Sequence, residues 1–234
     1  MINTSAIQQM AMESGFMSEE LAVIVSQLLT GLLVTVEIFI LTLVLSLPLG
    51  LLVAFGRLSK VKIVRWIVKI YISIMRGTPL MLQLMMVYFG PYYIFGISIT
   101  NEYRFYAVLI GFVLNYAAYF AEIYRGGIES MPSGQYEAAQ VLGFGKVQTF
   151  FRIILPQVIK RIMPSITNEV ITLVKDTSLA TVIAVGEMFT AAKALASAKA
   201  SVLPFVVAGL FYYVMNYVVA AIMEYCEKRM NYYK

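Results

Sequence analysis

The stretch EVITLVKDTSLATVIAV, residues 169–185, is long and apolar enough for much of a membrane span, yet it carries Glu169, Lys175 and Asp176. A Lys or Asp at the centre of a span costs about 2.5–3.5 kcal/mol to insert. Three such groups facing lipid would resist insertion, so they must face other helices or a water-filled path. Glu169 and Asp176 are seven residues apart and share a helix face, with Thr172 between them. Lys175 lies about 100° around the axis from Asp176. Two arrangements satisfy these groups. One is structural, a buried Lys–Asp pair or a helix end at the interface; the other is a polar lining that meets a solute.

Composition makes the membrane the medium. Of 234 residues, 60% are hydrophobic and only 13% are charged, with a mean hydropathy of +0.80. A soluble domain carries about 25% charge. The net charge of +5 sits in clusters between apolar runs rather than interleaved with aromatics on one surface. Membrane lipid is therefore an expected partner and nucleic acid is not. The chain has no His, and Cys226 is its one cysteine. An internal disulfide is impossible and a His/Cys metal site has no ligands, so neither a metal nor a cofactor is expected.

Five apolar segments follow one another: 21–55, 67–99, 105–123, 162–185 and 202–223. Arg76-Gly77-Thr78-Pro79 interrupts the second, and the fifth is uncharged and reaches the ~20 residues a span needs. Acidic residues and no basic ones precede the first run, unlike a signal peptide, so it is read as a retained helix. The expected fold is an all-α integral membrane protein of five transmembrane helices. Residues 1–20 form a tail and 21–230 the membrane domain. Positive charge follows the first helix in a short basic loop, RLSKVKIVR (57–65), recurs over 125–161 and closes the chain at Lys228, Arg229 and Lys234. The positive-inside rule then puts the N-terminus and its tail outside and the C-terminus in the cytoplasm, with Lys193 and Lys199 as outside exceptions.

Other spans carry polar groups at helical spacing. Asn115, Tyr119 and Glu122 stand at i, i+4 and i+7; Gln27, Thr30 and Glu37 lie near one stripe; Arg76 and Gln83 are seven apart. Any one stripe fits an interhelical hydrogen bond. Together they describe a polar interior with both signs of charge, suited to a zwitterionic solute.

Between the third and fourth segments lies EAAQVLGFGKVQTFFRIILP, residues 137–156. Pro132-Ser133-Gly134 reads as a turn, followed by a short helix that stops at Gly143 and a second helix from Lys146. Ala138 and Ala139 leave the first helix thin on one side, which permits close packing in a partner's groove. GFGK (143–146) is no phosphate loop: Gln140 stands where a Gly is needed and Val147 where Ser or Thr is needed.

Glu137-Ala138-Ala139, three residues, Gly143, nine residues, then Ile153-x-Leu155-Pro156 resembles the signature loop of binding-protein-dependent ABC importer permeases. RGTPL (76–80), YFAEIYRGGI (119–128) and KDTSL (175–179) resemble the polar amino-acid branch of that family, the histidine, glutamine, arginine and cystine type. The resemblance spans about residues 28–227. It implies the ABC type I importer permease fold in a bacterial plasma membrane, with no enzymatic activity in the chain itself. It also implies a second permease chain (identical or paralogous), separate cytoplasmic ABC ATPase subunits and an extracellular solute-binding protein. The loop at about 130–156 would couple to the ATPase through Glu137, Ala138, Ala139 and Gly143.

For an amino acid, Asp176 with Glu169 or Glu122 would meet the ammonium, and Lys175 or Arg76 the carboxylate. Asn115, Gln83 and Thr177 would add hydrogen bonds, with Glu37 and Tyr119 on the same stripes. A membrane enzyme is the alternative, but its chemistry wants a nucleophile with a base or an Asp cluster. A channel is a second alternative and gives the docking loop no role. Orientation is testable directly. A cysteine at Ser5, in a Cys226→Ser background, should react with an impermeant maleimide on intact cells. Protection of position 5 together with labelling of a cysteine at Phe150 would invert the topology.

Overall fold

The structure, a computed structural model, describes residues 19–230, and within them every regular element is helical. In order these are α1 (Glu19–Arg57), α2 (Lys62–Gly77), α3 (Leu80–Phe95), α4 (Asn101–Glu129), α5 (Ser133–Val141) and the single turn α6 (Lys146–Thr149). A π turn (Phe150–Ile154), α7 (Leu155–Asp176), a 3-10 turn (Thr177–Ile183), α8 (Met188–Lys199) and α9 (Leu203–Met230) complete the chain. Three helices, α1, α4 and α9, are long and apolar enough to cross a membrane; counting the interrupted α2–α3 and α6–α8 stretches as one span each gives five. The tail expected over residues 1–20 lies outside the described residues, except that Glu19 and Glu20 open α1.

Four hydroxyls on α1 are satisfied by its own backbone. Ser26, Thr30, Thr35 and Ser46 donate to the carbonyls of Val23, Ser26, Gly31 and Leu43, which keeps hydroxyls paired where lipid offers no partner. Prolines set two of the interruptions. Thr78 is extended (φ −120°, ψ 147°) because the residue before a proline avoids the helical region. Its Nα and Oγ1 both donate to the Ile74 carbonyl and close α2. Pro156 has no N–H to continue the ladder, and the turn before it widens, with the Leu155 amide donating to the Phe150 carbonyl.

The chain divides into two compact units. The first holds the described residues up to Thr42, Pro79–Phe112 and Leu173–Tyr217. Its core joins Ile24 and Leu28 of α1, Met188, Ala192 and Leu195 of α8, and Val207 and Ala208 of α9. A Cβ on Gly31 would stand 2.8 Å from the Met188 Cα, so only glycine permits that approach. Glu187, fully buried, caps α8: its carboxylate accepts from the amides of Phe189 and Thr190 (both 2.6 Å) and the hydroxyls of Thr190 (2.8 Å) and Tyr212 (3.1 Å). Thr35 Oγ1 accepts from the Met188 amide at 3.1 Å.

The second unit holds Leu43–Thr78, Val113–Thr172 and the described residues from Val218 onward. Ala54, Ile72, Ala118 and Ala121 form one cluster, and Ile154, Val158 and Ile162 another.

Two expectations change. The basic stretch 57–65 is not a loop throughout, since α2 begins at Lys62. Lys62 and Arg65 of this stretch, with Lys69 and Arg76, form one face of the amphipathic α2. The connection after residue 185 is not a plain external loop, because it contains α8. There Lys199, one of the outside exceptions, pairs with Glu20 at 3.6 Å.

Glu187→Ala would orphan the amides of the half-buried Phe189 and Thr190 and cost about 1–3 kcal/mol. The variant should melt several degrees lower in detergent, with Glu187→Gln in between. Unchanged melting of Glu187→Ala would show that the cap does not hold α8.

Candidate functional site

The loop between α4 and α7 is a small folded unit. α5 starts after Pro132, whose φ of −59° suits a helix entry. It ends where the Gly143 amide donates to the Gln140 carbonyl and the Phe144 amide to the Ala139 carbonyl. Gly143 has φ +80°, and a Cβ there would meet nothing within 4 Å. The left-handed dihedral, rather than crowding, therefore calls for glycine. Arg161 donates to the Ser130 carbonyl and Gln157 to Gln135 Oε1, which fasten the loop to α7.

Of the four coupling residues, Glu137, Ala138 and Gly143 are exposed. Ala139 is only 1% exposed, packed within its own chain, so the thin side of α5 is not wholly open to a partner. Instead Val141 and Leu142 stand 88% and 73% exposed at the end of α5, with Val147 nearby in sequence also bare. Sequence reading passed over them, although two successive apolar residues ending a nine-residue polar helix are their signal.

The candidate substrate residues fall in both units. Glu37, Gln83, Lys175, Asp176 and Thr177 belong to the first, and Arg76, Asn115, Tyr119, Glu122 and Glu169 to the second. In the first unit, α7 ends at Asp176 and the chain tightens into the 3-10 turn, which packs on α3, the helix of Gln83. Thr177 is buried and donates to the Val174 carbonyl at 2.7 Å, and Ser178 donates to that of Lys175. Lys175 is exposed, Asp176 half-buried and Glu37 exposed. The turn ends at Ala184 (φ 53°), whose carbonyl accepts from Arg104 at 3.1 Å.

In the second unit, Glu122 is the centre of an ion network. Arg125 donates to both its oxygens, at 3.1 Å from Nε to Oε1 and 2.6 Å from Nη2 to Oε2, and reaches Glu129 with Nη1. Arg57 and Arg76 stand farther off, each 3.8 Å from the same carboxylate. The Arg76 guanidinium lies 5.2 Å over the Tyr119 ring. Asn115, 4% exposed, donates to the Met75 carbonyl at 3.0 Å, which is the interhelical bond its stripe left open. Arg76, Tyr119 and Glu122 line a cavity of about 460 Å³ with Arg57, Lys69 and Ser73. In the sequence Arg57 and Arg125 carry only a topology signal. Glu169 is half-buried on α7.

Residues 46–232 match the binding-protein-dependent transport system inner membrane component family. The chain belongs to that family. It is 37% identical over 205 residues to the arginine transport system permease protein ArtQ of Bacillus subtilis (strain 168), covering 87% of this chain and 92% of the relative. It is 34% identical over 205 residues to the L-cystine transport system permease protein TcyB of the same organism, covering 87% and 86%. The crystal structure of an amino acid ABC transporter with histidines superposes with a TM-score of 0.79 at 30% identity, over 87% of this chain and 94% of that one. This family membership makes the chain an inner-membrane transport component, and its relatives are permeases rather than enzymes.

In this permease, Gly143→Val should strain the loop by about 1–2 kcal/mol. Amide exchange over residues 133–149 should then rise roughly 5- to 30-fold. Gly145→Ala, at a normal dihedral in open space, should leave exchange unchanged. Equal exchange in wild type and Gly143→Val would refute the role given to that dihedral.

Proposed function

We propose that the chain is the membrane-spanning subunit of an ATP-driven importer that carries a polar amino acid across the bacterial plasma membrane. The family match over residues 46–232, with arginine and cystine permeases at 37% and 34% identity, carries this reading. In it, two such chains or this chain and a paralogue form the path. Separate ATPase subunits supply the energy, and an external solute-binding protein supplies the amino acid. The N-terminus is outside and the C-terminus cytoplasmic. The folded loop of α5, α6 and the π turn fits an ATPase cleft by its bare Glu137, Ala138, Val141 and Leu142.

The substrate's charges need opposite partners once they leave water. Glu169 and Asp176 on α7 supply negative charge for the ammonium or a cationic side chain, and Lys175 beside them supplies positive charge for the carboxylate. Gln83 and Thr177 add hydrogen-bonding groups. The Glu122 carboxylate is already gripped by Arg125. Glu37 joins the polar lining from α1.

Asp176→Asn keeps shape and removes charge. In vesicles holding the permease, its ATPase and the binding protein, it should cut amino-acid-stimulated uptake at least tenfold, about 1.4 kcal/mol. Permease level and ATPase association should stay unchanged. Uptake that falls only in proportion to protein lost would make Asp176 a structural residue, and unaltered uptake would remove it from the substrate path.

A further inference from the structure

Helix α2 presents three distinct faces. Val68, Tyr71, Ile72 and Met75 pack with Ala54 of α1 and Ala118 and Ala121 of α4. Ile63, Trp66, Ile67, Ile70 and Ile74 lie on another side and are bare, Trp66 at 64% exposure. Lys62, Arg65, Lys69 and Arg76 fall between these two faces, at i, i+3, i+7 and i+14. At ~100° per residue they occupy one narrow stripe of the helix. Charge is thus confined to the seam where the packed face gives way to the bare apolar one.

The cavity opens along this seam. Lys69 and Arg76 line it from α2, Arg57 from the end of α1, and Tyr119 and Glu122 from α4. Arg125 alone grips Glu122 closely, whereas Arg57 and Arg76 remain at 3.8 Å. The ion pairs among the described residues do not include Lys69. Four cations therefore meet two carboxylates, Glu122 and Glu129. A polar cavity with surplus positive charge favours an anion, and a bare isoleucine–tryptophan face beside it favours hydrocarbon.

We infer that the α2 seam is a binding site for an anionic phospholipid, its phosphate headgroup held by Lys69, Arg57 and Arg76 and its acyl chains lying on Trp66, Ile70 and Ile74. One ligand joining phosphate to hydrocarbon meets both neighbouring surfaces at once, which a soluble phosphate cannot. A basic seam flanking an apolar helix face is the pattern by which proteins recruit acidic lipid. The site is distinct from the substrate groups on α7. It needs a membrane surface at that end of the second unit, whichever leaflet this is, so it stands apart from the orientation proposed above.

Trp66 is the chain's one tryptophan and sits on the bare face, so its fluorescence reads the site. The full chain is reconstituted in mixed phosphatidylcholine–phosphatidylglycerol vesicles with brominated acyl chains on one lipid or the other. Per brominated lipid, phosphatidylglycerol should quench Trp66 roughly threefold more than phosphatidylcholine. Lys69→Gln with Arg76→Gln should bring the ratio to one while quenching by phosphatidylcholine persists, which shows that α2 still meets the membrane. In wild type, raising salt to about 1 M should also lower the ratio, because the screening length shrinks to about 3 Å. Equal quenching by both lipids overturns the site. So does a preference insensitive to both the double variant and salt, or one abolished by excess inorganic phosphate, which would assign the cavity to a soluble anion. Absence of quenching by either lipid overturns it as well, by removing α2 from the membrane.

Discussion

A carboxylate buried without partners in a low-dielectric interior is too costly to keep ionised, and Glu187 shows how this chain meets that constraint. Two backbone amides and two hydroxyls converge on it, from the first turn of α8 and from Tyr212 of α9. The next residue, Met188, gives its amide to Thr35 of α1 and packs where Gly31 leaves room. One acid thus fixes the start of α8, and α8 in turn carries much of the core of the first unit. The second unit answers the same constraint with charge, placing Arg125 in two-point contact with Glu122 and Arg57 and Arg76 at its edge. Each unit is organised around an acid that hydrocarbon would reject.

Transport requires more than satisfied charges, because uniform helices cannot offer polar backbone to a solute or a foothold to a partner. Here the regular helix is broken at a few chemically determined places. Pro79 separates α2 from α3, Pro156 forces the π turn, and Gly143 closes α5 in the left-handed region. Ala184 ends the 3-10 turn that follows the charged Lys175-Asp176 pair. Irregular backbone at membrane depth is tolerated only where protein or water satisfies it, and Arg104 does so for the Ala184 carbonyl. The breaks at α5–α6 and at the 3-10 turn fall on the segments assigned to coupling and to substrate.

Much of this was legible in the sequence because it depends on local rules. Hydropathy located the apolar segments, and the Arg76–Pro79 interruption inside the second is where α2 gives way to α3. Gly143 was legible as a helix stop, and the structure shows that its left-handed dihedral rather than a close approach calls for glycine. Other features depend on what the chain folds against. Glu187 looked like an ordinary acid between Gly186 and Met188, since its donors come partly from Tyr212, 25 residues away. α8 was hidden because its short, alanine-rich pattern lacks the length of a span. Ala139 was read as open for a partner, yet its neighbours within the chain bury it. Asn115 and Glu122 stood on one polar stripe, and only the placement of Met75 and Arg125 showed which groups they meet.

The central claim is that the folded loop after α4 is where this permease meets its energy source. Val141, the most exposed apolar residue of that loop, offers the most direct test. A cysteine at position 141, in the Cys226→Ser background, should cross-link in assembled complexes to a cysteine in the ATPase cleft. A cysteine at Tyr93, at the far end of α3, should not. A complex that pumps amino acid normally yet cross-links through position 93 and never through 141 would contradict the account.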